Sequence, residues 1–184
     1  SISLSYNDEQ LTKLYIPEEA SAQTYINGYR KKNYDGLKSN DTLDLKDSMN
    51  GSELIVFFKN GSIDSLRIHG MAQTLYHIFD DSVYQGKNEA SGDTIIMSFH
   101  NNELEKLNII AGARGTYSPD SISADMKSPV KYSADYITSL LKQEKSDFNG
   151  NASIEQENTN LSSGFSEIDW QSNMLYALPF SETH

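Results

Sequence analysis

The chain contains a repeat with a period of 41 residues, and this repeat constrains the fold more than any other feature of the sequence. Residues 51–76 align with residues 92–117 without a gap. Identical residues occupy the aligned pairs Gly51/Gly92, Ile55/Ile96, Phe58/Phe99, Asn60/Asn101, Leu66/Leu107, Ile68/Ile109, Ala72/Ala113 and Tyr76/Tyr117. A repeat of this length marks a structural unit that stacks on its neighbours, so the sequence predicts repeated units.

Each repeat unit has the alternating pattern of a β-hairpin. Apolar residues occupy every second position from 54 to 58, Asn60-Gly61 has the composition of a tight turn, and the alternation resumes at 66–72. The second unit has the same alternation at 95–99, followed by a turn at 100–102. Both units therefore predict two antiparallel strands with one apolar face.

Fainter copies of the hairpin lie at the two ends of the chain. At the N-terminus, alternating apolar residues at 2–6 precede a turn at 7–9. Toward the C-terminus, residues 147–156 resemble residues 67–76, with Phe148 at the position of Ile68. Residues 165–179 have the pattern of a last hairpin around Ser172-Asn173.

Two segments lack this alternation. In residues 132–145 the spacing of Tyr132, Tyr136, Ile137, Leu140 and Leu141 fits one face of a short helix better than a strand. Residues 27–50 are rich in Lys, Asn, Asp and Ser, which predicts a long connection with one strand at Thr42–Leu45.

The predicted fold is all-β, with repeated hairpins stacked into an elongated sandwich or jelly roll. We expect a single domain over residues 1–184, with repeat units at about 1–26, 50–79, 91–119 and 130–179. The terminal strands of such a stack expose edges that can pair with another chain. The chain begins at Ser1 rather than at Met, so a processed or excised segment is expected.

A row of apolar residues is predicted to face the interior of the stack. A closed core and a lipid-binding groove need the same alternation, so the sequence leaves both interpretations open. The row consists of Leu4, Tyr6, Leu54, Val56, Phe58, Leu66, Ile68, Ile95, Met97, Phe99, Leu107, Ile109, Phe148 and Ile154.

Small residues recur at one place in each returning strand. The copies are Gly70-Met71-Ala72, Ala111-Gly112-Ala113 and Gly150-Asn151-Ala152. Glycine inside a strand pattern indicates a β-bulge or a tight bend. Small side chains could also form a thin wall that leaves room inside the sandwich.

The composition argues against several classes of function. A net charge of −11 disfavours nucleic acid as a partner, and the lack of cysteine excludes thiolate metal sites and a cysteine nucleophile. The histidines lack metal-ligand spacing, and Asp80, Asp81, Glu89 and Asp93 lack a calcium-binding pattern. No motif of a hydrolase or a nucleotide-binding site is present. The sequence therefore predicts a non-enzymatic protein with no metal and no cofactor.

Two quoted stretches carry a resemblance to a known family. They are "GDTIIMSFHNNELEKLNIIAGARGTYSP" at 92–119 and "VKYSADYITSLLKQEKSDFNGNASIEQENTNLSSGFSEIDWQSNMLYALP" at 130–179. They resemble the OstA-like periplasmic domains of lipopolysaccharide transport, the family of LptA, LptC and LptD. The elements that match are Ala134-Asp135, the step Gly150-Asn151-Ala152 and the end Ala177-Leu178-Pro179.

The resemblance implies a slit-like β-jelly roll in the periplasm, associated with the outer membrane, whose interior row would bind the acyl chains of lipopolysaccharide or a related lipid. Its partners would be other β-jelly-roll transport proteins or an outer-membrane protein, joined through strand edges. The alternative is a structural module that docks through its strand edges without carrying lipid. A third class, a jelly-roll enzyme, would need convergent carboxylates, but Asp44, Asp64 and Glu105 are predicted on opposite faces or in turns.

Overall fold

The structure is a computed structural model that describes residues 2–34, 37–101, 103–122, 124, 126–172 and 174–180, with only the backbone at 31–34 and 37–40. These residues form ten strands that pair in chain order in one antiparallel sheet, which confirms the predicted all-β fold. The strands are β1 (Ser3–Asn7), β2 (Gln10–Tyr34), β3 (Leu37–Lys59), β4 (Ser62–Asp80), β5 (Val83–His100), β6 (Glu103–Pro119), β7 (Val130–Leu140), β8 (Lys145–Gln156), β9 (Thr159–Asp169) and β10 (Met174–Leu178). Within these ranges no helix is long and apolar enough to cross a membrane.

The predicted hairpin turns form where the backbone can adopt a left-handed conformation. Asn60 and Gly61 have φ angles of 52° and 78°, and Asp8 and Glu9 have φ angles of 48° and 64°. Two successive residues with positive φ make the turn whose twist matches that of antiparallel strands. Asn102 and Asn173, which belong to two other predicted turns, lie outside the described residues.

The small-residue steps are corners at which the sheet bends, as predicted. Each of β2, β4, β6 and β8 contains two consecutive residues with positive φ. Opposite each pair, the next strand contributes one residue, which defines a β-bulge. The pairs are Glu18-Glu19, Gly70-Met71, Ala111-Gly112 and Gly150-Asn151, and the single residues are Ser52, Asp93, Asp135 and Gly164.

The bends bring the two halves of the sheet face to face. Tyr117 at the end of β6 contacts Trp170 after β9, with ring centroids 6.4 Å apart, although the two residues lie on opposite sides of the corners. Buried residues from both sides form one hydrophobic cluster. We call the side with residues 53–69, 94–110 and 136–149 the aliphatic half, and the side with residues 72–92, 113–134 and 152–163 the tyrosine half.

The predicted helix at 132–145 is wrong. Val130–Leu140 is the strand β7, and only Leu141–Gln143 forms a single 3-10 turn. The corner at Ala134-Asp135 moves the alternation by one position, so Tyr132 and Ile137 both lie in the hydrophobic cluster although they are five residues apart. A strand interrupted by a bulge thus imitates the spacing of a helix.

The predicted long connection at 27–50 is also wrong, because β2 and β3 run through this segment and pair with each other from Ala20/Gly51 to Tyr34/Leu37. The segment is polar because it extends beyond the main body of the sheet and covers little of the core. A hairpin that is solvated on both faces has no apolar alternation to reveal it. Residues 35 and 36 lie outside the described part of the chain.

Candidate functional site

The aliphatic half carries a continuous apolar row on its inner face. Successive Cα partners place Leu54 beside Ile68, Ile68 beside Ile95, and Ile95 beside Ile109. The row continues through Ile137 and Phe148, and its members from Leu54 to Phe148 are at most 2% exposed. Side chains that stand opposite each other on neighbouring strands pack directly, so each strand extends the same apolar surface.

The predicted interior residues fall into three groups. Ten are buried in the hydrophobic cluster, namely Leu54, Val56, Leu66, Ile68, Ile95, Met97, Leu107, Ile109, Phe148 and Ile154. Phe58 and Phe99 are half-buried at the margin of this cluster. Leu4 and Tyr6 are 50% and 60% exposed, because β1 is the terminal strand and nothing in the chain covers it. Leu4 is nevertheless paired with Leu14, which packs against the core, so it belongs to the inner face.

The inner face of the tyrosine half carries several polar side chains, most of which are uncharged. The Tyr132 hydroxyl donates a hydrogen bond of 2.8 Å to Asn88 Oδ1, and both residues are buried. Burial raises the pKa of Tyr132 to about 12, and burial also raises the pKa of Tyr76 far above its ordinary value. Both hydroxyls therefore stay neutral, so this half offers hydrogen-bonding groups within an apolar surface.

Aromatic residues line the margin where the two halves meet. Trp170, the only tryptophan in the sequence, packs against Tyr117 and donates a hydrogen bond of 2.9 Å from Nε1 to Ser146 Oγ. Phe58, Phe99 and Leu104 are half-buried near the ends of β3, β5 and β6, on the same side of the corners as Trp170. This margin is a partly covered edge of the interior.

The outer face of the tyrosine half is a polar recess of about 680 Å³. Its floor includes four residues that are successive Cα partners across β4 to β7, namely Gln73, Ser91, Arg114 and Ser133. This recess lies on the opposite face of the sheet from the predicted lipid-binding row. An open polar surface of this kind does not suit an acyl chain.

Two terminal strands expose large apolar side chains. Every residue of β1 and β10 is exposed, and β10 carries Met174, Leu175, Tyr176 and Leu178. Leu175 is the Cα partner of the buried Ile168, so the inner apolar face continues onto an uncovered strand at this end as well. A sheet edge with unpaired backbone groups and exposed apolar residues can pair with a further strand.

The described residues show no arrangement suited to metal chemistry. They contain no group of three or more His, Asp or Glu side chains that could hold an ion. Asp80, Asp81 and Asp93 are exposed, and Glu89 pairs with Lys87 at 3.0 Å. His69 lies on the outer face, where Nδ1 is 2.8 Å from Thr94 Oγ1.

Comparison with solved structures shows that this chain is similar to LptH from Pseudomonas aeruginosa. The crystal structure of LptH is described as that of the LptA homologous periplasmic component of the conserved lipopolysaccharide transport device. The match has a TM-score of 0.53 and 14% sequence identity, and covers 71% of this chain and 80% of LptH. The fold is LptA-like. At this identity the likeness extends to the fold and no further. No protein family and no curated protein matches the sequence.

Sequence analysis missed several residues of this LptA-like interior. Ile137 and Tyr132 were assigned to a helix, because the corner in β7 interrupts their alternation. Asn88 is buried although its neighbours in the sequence are polar, and no pattern in the sequence indicates its burial. Trp170 and Tyr117 meet only through the bending of the sheet. The alternation of apolar residues in β7 shifts by one position at the corner, and this shift is the signal in the sequence that indicates a strand. The contacts between the two halves leave no such signal.

Proposed function

We propose that this chain is a non-enzymatic protein of the cell envelope that binds lipopolysaccharide or a similar lipid between the two halves of its sheet and passes it toward the outer membrane. The observation that carries the proposal is the inner apolar face, which spans β3 to β8 and continues onto the uncovered strands through Leu4 in β1 and Leu175 in β10. The likeness to LptH supports it, because LptH is a periplasmic component of lipopolysaccharide transport.

The chemistry of the interior suits an acyl chain. Each methylene group that leaves water for an apolar environment contributes about 0.8 kcal/mol. The central residues of the row are packed against each other, so an acyl chain has to separate side chains that now form a core. Phe58, Phe99 and Trp170 at the margin are only half-buried, so separating side chains there disturbs fewer buried contacts than at the centre of the row.

The partners in this proposal are chains that continue the sheet at β1 or β10. A partner strand paired there would cover Leu4 at one end or Leu175 at the other and would extend the apolar row into the neighbouring protein. We place the protein in the periplasm, beside the outer membrane, by analogy with the location of LptH.

A second candidate is a structural module that docks through the same edges and carries no lipid. The observation in its favour is the complete burial of Ile95 and Ile109, which is what a filled core requires. The two candidates differ in whether lipid reaches the interior.

Trp170 provides a test with purified protein. We expect titration with lipopolysaccharide to change the fluorescence of Trp170 in a saturable manner, since lipid bound between the two halves separates Trp170 from Tyr117. The control combines Trp170→Phe with Phe57→Trp, which moves the probe to an exposed position on the outer face. Equal responses from the two probes, or no response from Trp170, would favour the structural module.

A further inference from the structure

An extended hairpin closes one end of the interior. We define the arm as residues 24–30 of β2 and 41–47 of β3, which pair with each other. The neighbouring strand β4 pairs with β3 only as far as Ser48, so the arm extends beyond the sheet. Tyr29 then pairs in parallel with Val83 of β5, and its backbone N–H donates a hydrogen bond of 3.0 Å to Ser82. Strands β2 to β5 thereby form a closed ring at this end.

An ion pair and a pair of hydrogen bonds hold the arm against the body of the protein. Arg30 Nη2 lies 2.6 Å from Asp120 Oδ1, and the Asp120 side chain is only 4% exposed. His77 Nδ1 lies 2.7 Å from Asp47 Oδ1, and the backbone N–H of His77 donates to the same oxygen at 2.8 Å. The first contact joins the arm to the segment after β6, which contains Asp120, and the second joins it to the neighbouring strand β4, which contains His77.

A small apolar cluster lies under the arm. Val83, Tyr84 and Ala124 are buried but do not belong to the main hydrophobic cluster. The Arg30 guanidinium lies over the Tyr84 ring at 5.4 Å, and Phe79 contacts Tyr84 at 5.6 Å between ring centroids. Satellite clusters of this kind form where a long connection covers the end of a domain. The arm therefore covers this end of the interior and packs on an apolar cluster of its own, which we call the seat.

The arm can leave its seat without breaking the main sheet. Its ladder is internal to the hairpin, and among the described residues the bridge between Tyr29 and Val83 is the one backbone ladder contact between β2 and β5. The pairing of β3 with β4 ends at Ser48, immediately before the arm, so the arm can bend at Asp47 and Ser48 while residues 48–50 stay paired with β4. A hairpin that is free of the sheet beyond one point can move as a unit about that point.

We propose that the arm is a gate over this end of the interior, which closes the tyrosine half when it is seated and admits lipid when it is released. The inference rests on the proposed function, because it regulates access to the same interior. Releasing the arm exposes Val83 and Tyr84 and uncovers the end of the interior next to Tyr76 and Asn88. The ion pair of Arg30 with Asp120 and the hydrogen bonds of Asp47 with His77 set how often this happens.

A reversible covalent lock tests the gate. The chain has no cysteine, so the double variant Tyr29→Cys/Val83→Cys introduces the only pair, at positions that are Cα partners on adjacent strands. Adjacent strands place Cα atoms within the range that a disulfide spans. The matched control is Ser133→Cys/Ser153→Cys, Cα partners on β7 and β8 far from the arm. Uptake of lipopolysaccharide is measured by the Trp170 signal in the oxidised and reduced forms of both proteins.

We expect oxidation of the lock to slow uptake by about tenfold or more, equivalent to about 1.4 kcal/mol in the barrier, with recovery on reduction and no change in the control. A second variant, Arg30→Gln, removes the ion pair with Asp120 and is expected to speed uptake. Equal uptake by the oxidised and reduced lock overturns the gate but leaves the proposed function intact. An absence of uptake by the unmodified protein overturns the proposed function, and the gate with it.

Discussion

At the scale of single residues, two glycines explain why the repeat is conserved within this chain. Gly92 lies at the corner of β5, and a Cβ atom there would lie 2.6 Å from Ile109 Cγ2 and 3.1 Å from the Ile110 carbonyl oxygen. Gly51 has the same relation to Ile68 one unit earlier. In each unit the glycine lets the isoleucine of the following strand reach the fully buried row. The identical pairs at the two positions therefore reflect one packing requirement met twice.

This requirement predicts the effect of one substitution. We expect Gly92→Ala to lower the free energy of unfolding by about 1–3 kcal/mol, because overpacking forces a side chain or the backbone to shift. Urea denaturation followed by circular dichroism measures the change. Ile109→Leu removes the offending Cγ2 methyl group, so the double variant should lose less stability than the sum of the two single variants. Strictly additive losses would show that Ile109 is not the contact that matters.

At the scale of elements, the corners determine which residues face inward. In β4 the two residues Gly70 and Met71 lie opposite the single residue Asp93 of β5. The extra residue in β4 restores the alternation of inward and outward side chains beyond the bend. Deleting Met71 should move Ala72, Thr74 and Tyr76 to the opposite face of the sheet. We expect this deletion to abolish cooperative unfolding in a urea titration.

The matched control for the deletion is Met71→Ala. The Met71 side chain is 82% exposed, so its truncation should change the free energy of unfolding by no more than about 0.5 kcal/mol. A deletion variant that unfolds cooperatively with near-native stability would mean that the bulge does not set the register.

The same corners determine which strands the sequence predicts correctly and which it does not. Hairpins with intact alternation, such as residues 51–76, were predicted with their turns and inner faces. In β7 the corner falls in the middle of a short strand, and the pattern then resembles a helix. The arm was missed for another reason, since Asn27 and Asp44 lie on a hairpin with little core to cover. Contacts between the halves, such as Tyr117 with Trp170, depend on the accumulated bending of many strands.

At the scale of the whole molecule, a continuous apolar face extends onto strands that the described chain does not cover. Such an arrangement stabilises the fold through its packed centre and leaves its ends for other chains or for lipid. The net charge of −11 disfavours self-association through the exposed apolar edges at low ionic strength, because like-charged copies repel each other. The strongest claim concerns the interior, where an acyl chain is placed among residues that now form a core.

Site-specific photo-crosslinking in cells tests that claim most directly. Phe57 and Phe58 are neighbours on β3, but Phe58 packs against the core whereas Phe57 is 39% exposed on the outer face. Replacing either residue with benzoylphenylalanine preserves an aromatic side chain and places the probe on one face or the other. The account predicts a lipopolysaccharide adduct from position 58 and from the equivalent position 99, and none from position 57. Equal adducts from 57 and 58, or none from 58 and 99, would contradict it.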